Sequence, residues 1–350
     1  MDDVAKLPAE ERALLFAEVA ARRDVLPVVI EKDFWVCWTL KHLFALPGIN
    51  SHLIFKGGTS LSKVFGIIQR FSEDIDLSIN RAYLGFGGEQ EPEKAGGKNK
   101  IKDRIEELVE ASRVKVTEEL MPALRASFDA VLDTKADDPE ETDWGIAQSA
   151  DELQDLYFTY PRHKSSLEWQ GSDYLKPIVK IEFGARADHW PAGEYPVTPY
   201  AAEEFPNYFN NPTCRVKVLE AERTFWEKAT ILHAEYHRPE AKADAERISR
   251  HYYDLHRLAE TQVAENAMKS LDLLERVVEH KSVFFRSGWA KYNEARTGHL
   301  RLVPGGERQR SLRLDYDKMK DMFFGERPSF DEILSTLGQL EARINSETAG

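Results

Sequence analysis

Apolar positions recur at helical spacing over residues 9–23 and again from about Glu31 to Ala45, so the chain is predicted to open with two helices. Glu10 and Glu11 fall in the first turn of the former, where acids suit the helix dipole. The latter stops at Pro47-Gly48 and carries Phe34, Trp35, Trp38, Leu40 and Leu43 on more than one face, which predicts burial on several sides. The period then changes. His52–Phe55 is a short apolar run ending at Lys56-Gly57-Gly58, Ser60–Ile68 returns to helical spacing, and Ser72–Ile79 alternates polar and apolar. Residues 52–79 therefore predict a strand, a glycine turn, a helix and a second strand.

Residues 85–101 have no period and read as a mobile loop. A long amphipathic helix is predicted from about Lys100 to Leu132, interrupted near Pro122. An acidic, loop-like stretch, Asp133–Asp151, precedes two strand candidates, Leu153–Tyr160 and Pro177–Phe183. Residues 188–213, rich in Pro, Tyr and Asn, read as an irregular surface segment, and Cys214–Leu219 as a last short strand. Beyond it the pattern is helical at about 220–237, 242–261, 263–279, 284–297, 314–323 and 329–346, without internal repeats. The expected organisation is a mixed α/β domain over 1–213 and a helical domain over 214–350.

Composition narrows the class. Hydrophobic residues make up 42% and aromatic residues 11% of 350 positions, enough for a sizeable core. Charged residues, 31%, are mixed in sign, as in a globular rather than a disordered chain. A net charge of −13 argues against duplex binding by the whole surface but leaves room for a local basic groove. The two cysteines, Cys37 and Cys214, lack metal-ligand spacing, and Cys37 reads as a buried thiol. The first residues lack the pattern of a signal peptide, and no apolar run approaches the roughly 20 residues of a membrane span. A cytoplasmic location is the expectation.

Asp74 and Asp76, two apart on a strand, leave from one face. Two carboxylates so placed repel each other unless a hard cation such as Mg²⁺ sits between them. Sixteen residues earlier Gly58 closes a strand-to-helix turn whose free N–H groups could hold phosphate, with Thr59 and Ser60 adding hydroxyls. Either part alone is commonplace: a plain turn, or two solvated acids. A phosphate cradle followed directly by a metal-binding strand is far more specific.

The runs Lys56-Gly-Gly-Thr-Ser-Leu-Ser-Lys63 and Arg70-Phe-Ser-Glu-Asp-Ile-Asp-Leu77, with Glu31-Lys-Asp-Phe-Trp35 upstream, resemble the AbiEii/AbiGii toxin family of nucleotidyltransferases, which includes MenT-like toxins. This family lies within the DNA polymerase β-like superfamily, and the recognisable motifs run from about residue 30 to 260. The resemblance implies an α/β fold, with a polymerase β-like N-terminal domain built on a small mixed sheet and a helical C-terminal domain completing the active site. It implies that Asp74 and Asp76 hold two Mg²⁺ ions, with Mn²⁺ as a second option. Glu182 is the best match for a third metal ligand. Lys228 and Asp254 match the family's later lysine and aspartate. Gly57, Gly58, Thr59, Ser60, Lys63 and Lys228 would bind the nucleotide.

Asp254 would orient Lys228 or assist proton removal. His251 and His256, five apart, fall on different sides of a helix and do not read as a metal pair. Arg247, Arg250 and Arg257 read either as a basic lip or as a solvated face. The function implied is Mg²⁺-dependent transfer of NMP from an NTP to an acceptor hydroxyl, the tRNA 3′ end first among candidates. The setting is a toxin–antitoxin or phage-defence system with a cognate antitoxin protein. The rival readings are transfer to a protein or small-molecule hydroxyl, and a non-catalytic NTP-binding module acting through a partner. Ser72 shares the strand face of Asp74, so a phosphate there would add about −1.5 to −2 charges beside the acids. Phosphorylated protein is then expected to lose nucleotide transfer and Ser72→Ala to restore it; unchanged transfer after phosphorylation would sink the idea.

Overall fold

A computed structural model describes residues 1–72, 74–132, 141–164, 177–240, 242, 246–325 and 327–347. They divide into two compact units: 1–64 with 71–218, and 65–70 with 219–350.

The first unit begins with helices α1 (Asp2–Ala5), α2 (Ala9–Arg23) and α3 (Pro27–Ala45). Strand β1 (Leu53–Lys56) runs directly into α4 (Gly57–Lys63), and β2 (Asp74–Ile79) returns antiparallel to β1. The predicted strand–helix–strand order holds, but Gly57 and Gly58 open α4 instead of forming a separate turn, and α4 ends at Lys63 rather than near Ile68. Gly66, at φ +63°, takes a left-handed conformation that an α-helix does not use. The long helix appears as α5 (Lys98–Lys115) and α6 (Met121–Leu132), joined by a π-helical turn at Val116–Leu120. Pro122 has no N–H to return to the Glu118 carbonyl, and a wider turn beside it absorbs that loss.

Strands β3 (Gly145–Gln148), β4 (Asp155–Thr159), β5 (Ile178–Gly184) and β6 (Ala192–Val197), helix α7 (Tyr200–Glu204) and strand β7 (Cys214–Leu219) follow. Two stretches read as irregular therefore contain strands. Of the predicted acidic loop, residues 133–140 lie outside the described residues. The segment 85–101 carries two short 3₁₀ turns before α5 begins.

The strands form one mixed sheet in the order β3-β4-β5-β2-β1-β7-β6. Its two faces differ because β2 and β5 alternate strictly at their site ends. Ile75, Leu77, Val179, Ile181 and Phe183 are buried, whereas Asp74, Asp76, Lys180 and Glu182 are partly exposed. Helix α3 supplies aromatic cover for the core. Trp35 stacks on Tyr160 with ring centroids 5.5 Å apart, and Trp38 meets Phe128 at 4.4 Å. Cys37 is fully buried there, as predicted.

The second unit holds α8 (Ala221–Tyr236), α9 (Ser249–Ala259), α10 (Gln262–Met268), α11 (Leu271–Phe284), α12 (Gly306–Lys318) and α13 (Phe330–Ser346). Three helix expectations are corrected. Residues 263–279 split at Lys269-Ser270 into α10 and α11, each of which buries its own apolar stripe. Residues 284–297 hold only a 3₁₀ turn, Tyr292–Glu294, entered through the left-handed Lys291. The helix expected at 314–323 starts eight residues earlier, straight after Pro304-Gly305, and stops at Lys318. Of the helix expected at 242–261, α9 covers the part from Ser249 on, while residues 243–245 lie outside the described residues. Among the described residues no helix is long and apolar enough to cross a membrane.

Candidate active site

In the first unit, register assembles the acids. Parallel pairing of β2 with β5 sets Asp76 opposite Glu182 and Asp74 opposite Lys180. Antiparallel pairing sets Asp155 opposite Glu182 and Lys56 opposite Asp76. Paired residues share a face, so Asp155, Glu182, Asp76 and Lys56 form one row across four strands, with Asp74 beside it. Lys56 Nζ lies 3.9 Å from Asp76 Oδ1, while Lys180 Nζ bridges Asp155 Oδ2 at 2.8 Å and Glu182. Burial and then the neighbouring Asp76 charge push the Glu182 carboxyl up against the pull of Lys180. Among the described residues no three His, Cys, Asp or Glu side chains converge on one point as a ready metal cage.

Gly57 explains its own identity. Its φ is +83°, and a Cβ there would fall 2.0 Å from Asp76 Oδ2. Only a residue without a side chain lets the start of α4 approach the acid this closely.

The hydroxyls and the lysine read from the sequence as phosphate ligands are engaged within the fold. Thr59 Oγ1 donates to the Asp74 carbonyl at 2.5 Å and lies 3.0 Å from Ser72 Oγ. Ser60 Oγ donates to the Gly57 carbonyl at 2.8 Å. Both residues are buried. These bonds tie α4 to β2 and hold the turn that carries Gly57 against Asp76.

Lys63 is buried too. Its Nζ lies 2.7 Å from Asp33 Oδ1 and 3.6 Å from the centroid of the Tyr200 ring, and the Tyr200 N–H donates to Asp33 Oδ2 at 2.7 Å. Burial works against the lysine cation, but the Asp33 carboxylate outweighs it and holds the ammonium charged. The early Glu31–Trp35 motif thus supplies, through Asp33, the anchor that joins α3, α4 and α7.

The second unit holds a separate buried cluster. Lys228 on α8 donates to Asp254 Oδ2 on α9 at 2.7 Å, and its Nζ lies 2.9 Å from His251 Nδ1. Arg70 grips the same carboxylate with two bonds, Nε to Oδ1 at 2.7 Å and Nη2 to Oδ2 at 2.9 Å. Burial alone would raise the Asp254 carboxyl, but Arg70 and Lys228 hold it well below its ordinary range. Asp254 is fully buried, with both carboxylate oxygens bonded to Arg70 and one of them also to Lys228.

Burial, and then Lys228, also push the His251 imidazole far down, leaving it neutral with Nδ1 accepting. Arg70 and His251 carry this cluster, although residue order assigns Arg70 no site role and weighs His251 only as half of a metal pair. An arginine four residues before the acid pair and flanked by Ile67, Ile68 and Phe71 signals a buried anionic partner. His251, three before Asp254, shares its helix face.

The chain is similar to known proteins. The family described as nucleotidyl transferase AbiEii toxin, type IV TA system, matches residues 38–336. Solved structures similar to the chain include MenT4, the nucleotidyltransferase toxin Rv2826c from Mycobacterium tuberculosis H37Rv. The two share 17% identity and a TM-score of 0.50 over 96% of this chain and 90% of that one. JHP933 from Helicobacter pylori aligns over 91% of this chain and 94% of its own, with 11% identity and a TM-score of 0.36. No curated protein matches the chain.

Proposed function

This chain belongs to the AbiEii family of nucleotidyltransferase toxins of type IV toxin–antitoxin systems, and from that premise we propose that it transfers NMP from an NTP to an RNA 3′ hydroxyl, tRNA first among the acceptors. The observation that carries the reading is the register of β2 and β5. It sets Asp76 against Glu182 with Asp74 one step along the same face.

An all-oxygen, anionic donor set suits a hard divalent cation, and the like-charge pressure of Asp76 on Glu182 is the condition such a cation relieves. Asp74 and Asp76 would hold Mg²⁺, or Mn²⁺ in its place, with Glu182 as third ligand shared with Lys180. When bound, the metal pair supplies Lewis-acid stabilisation of charge at the α-phosphate. Gly57 keeps the space beside Asp76 open, and Thr59 and Ser60 fix that turn. Lys228, oriented by Asp254, is the cation assigned to the triphosphate. An antitoxin partner follows from the family, and a cytoplasmic location from the substrates proposed.

The test is incubation of the full chain with total RNA, Mg²⁺ and each α-labelled NTP in turn, with Asp76→Ala as control. Labelled RNA from the wild type alone is expected. Unlabelled RNA, or equal labelling by the variant, removes the RNA-transferase reading. Label appearing in protein or small molecules instead would redirect it to another hydroxyl.

A further inference from the structure

Past the acids the same sheet face is buried at Ser78 and Ile54, with Lys217 beyond them on β7. On β2, Ser78 follows Asp76 on the same face, about 7 Å further along the strand. Its register partner on β1 is Ile54. Strand β7 runs parallel to β1 with Val218 opposite Phe55, so Lys217, one residue back, lies on the face of Ile54 and Lys56. The loop after β5 folds onto this row, where His189 Nε2 sits 2.9 Å from Ser78 Oγ.

Three cations lie near that imidazole, Lys56 paired with Asp76 and Arg81 with Glu93. Burial and then Lys217 push its pKa down to about 4, with Arg81 and Lys56 acting the same way and Asp188 alone of these neighbours opposing them. Trp190, the next residue, is 48% exposed. In a chain of net charge −13, three cations near His189, of which Arg81 is paired with Glu93, and a half-exposed indole next in sequence are a local exception.

We propose that this row is a bed for single-stranded RNA, in which Trp190 stacks on a base near the acceptor's 3′ end and Lys217 and Lys56 meet its phosphates. A stacking ring with cations on adjacent strands is the chemistry that single-stranded nucleic acid recognises without reading its sequence. The cations lie on β1 and β7 and beyond the end of β2, a spread that suits a chain of phosphates better than one compact triphosphate. Neutral His189, held on Ser78, fixes the loop that carries the indole. This inference rests on the RNA-acceptor reading above, which it deepens.

The test is equilibrium binding of a 5′-fluorescein-labelled 12-nucleotide single-stranded RNA to the full chain, without NTP, followed by anisotropy. Parallel titrations use ATP and GTP. Trp190→Ala is expected to weaken RNA binding on the order of tenfold, as removal of a stacking ring does. Trp190→Phe should restore most of the loss, and Lys217→Ala should weaken binding and flatten its salt dependence.

NTP binding should stay unchanged in all three variants. The bed is overturned if the wild type does not bind the RNA, if Trp190→Ala binds as tightly as wild type, or if the variants lose NTP binding instead. RNA that binds through Trp190 but is never extended leaves the bed standing and removes the transferase reading instead, so the two failures are separable.

Discussion

Replacing Gly57 by alanine is expected to abolish nucleotide transfer almost as completely as removing Asp76 itself. The added methyl would have to occupy space 2.0 Å from Asp76 Oδ2 and 2.7 Å from its carboxyl carbon, which is well inside contact distance. The carboxylate must then swing away or the start of α4 must move. Either change takes an anionic ligand from the proposed metal position, where charge stabilisation is worth several kcal/mol. A loss of roughly a hundred- to a thousandfold in kcat follows.

The stability cost should be much smaller. A non-glycine residue held at φ +83° costs on the order of 1–2 kcal/mol, and Thr59 and Ser60 retain the bonds that fix the turn. Transfer rates and thermal melting measured on the same sample separate the two effects. If Gly57→Ala keeps more than a tenth of wild-type kcat, the close approach has no functional meaning. A collapse of melting temperature with no folded protein left to assay would make Gly57 a folding residue only.

The second large effect is expected at Arg70. In Arg70→Met the fully buried Asp254 carboxylate loses its bidentate partner and keeps Lys228. Breaking one side of a buried ion cluster costs about 3–5 kcal/mol, because the remaining charge is left undercompensated. The variant should unfold at distinctly lower urea, and the double variant Arg70→Met/Asp254→Asn should recover part of the loss, since it buries no orphan anion. Chemical denaturation of the three proteins checks this. Equal stability of Arg70→Met and wild type would show that the guanidinium contributes nothing.

The pH dependence has a definite sign. Asp254 has a folded-state pKa depressed below its unfolded value. Its contribution is therefore full above the unfolded carboxylate's pKa, about 4. It is lost as pH falls through the still lower folded value. Asp254→Asn should remove that acid-limb dependence, while Arg70→Met should shift it to higher pH.

Much of this was legible in residue order because the underlying interactions are local. Alternation in Ser72–Ile79 placed Asp74 and Asp76 on one face whatever strand lay beside them, since side-chain direction in a strand has period two. The end and burial of α3 were likewise visible in its aromatic spacing, as was the buried state of Cys37, whereas its start lies four residues before the expected Glu31. The resemblance in the two motifs pointed to the family and its chemistry.

Pairings between distant segments were not legible, because nothing in a strand's own pattern names its neighbour. Glu182 is opposite Asp76 only through the β2–β5 register. Lys63 is a structural cation only because Asp33, thirty positions earlier, is folded against it under Tyr200. Thr59 and Ser60 offered hydroxyls to phosphate as residues, yet packing turned them toward the Asp74 and Gly57 carbonyls. Arg70 reaches Asp254 across 184 positions, a contact that no local period encodes. So the chain order alone named the chemical groups of the proposed site and the strand face the acid pair uses. Their neutralising partners, and which of them remain available to a substrate, came from long-range packing, where desolvation makes each buried charge find a counterion.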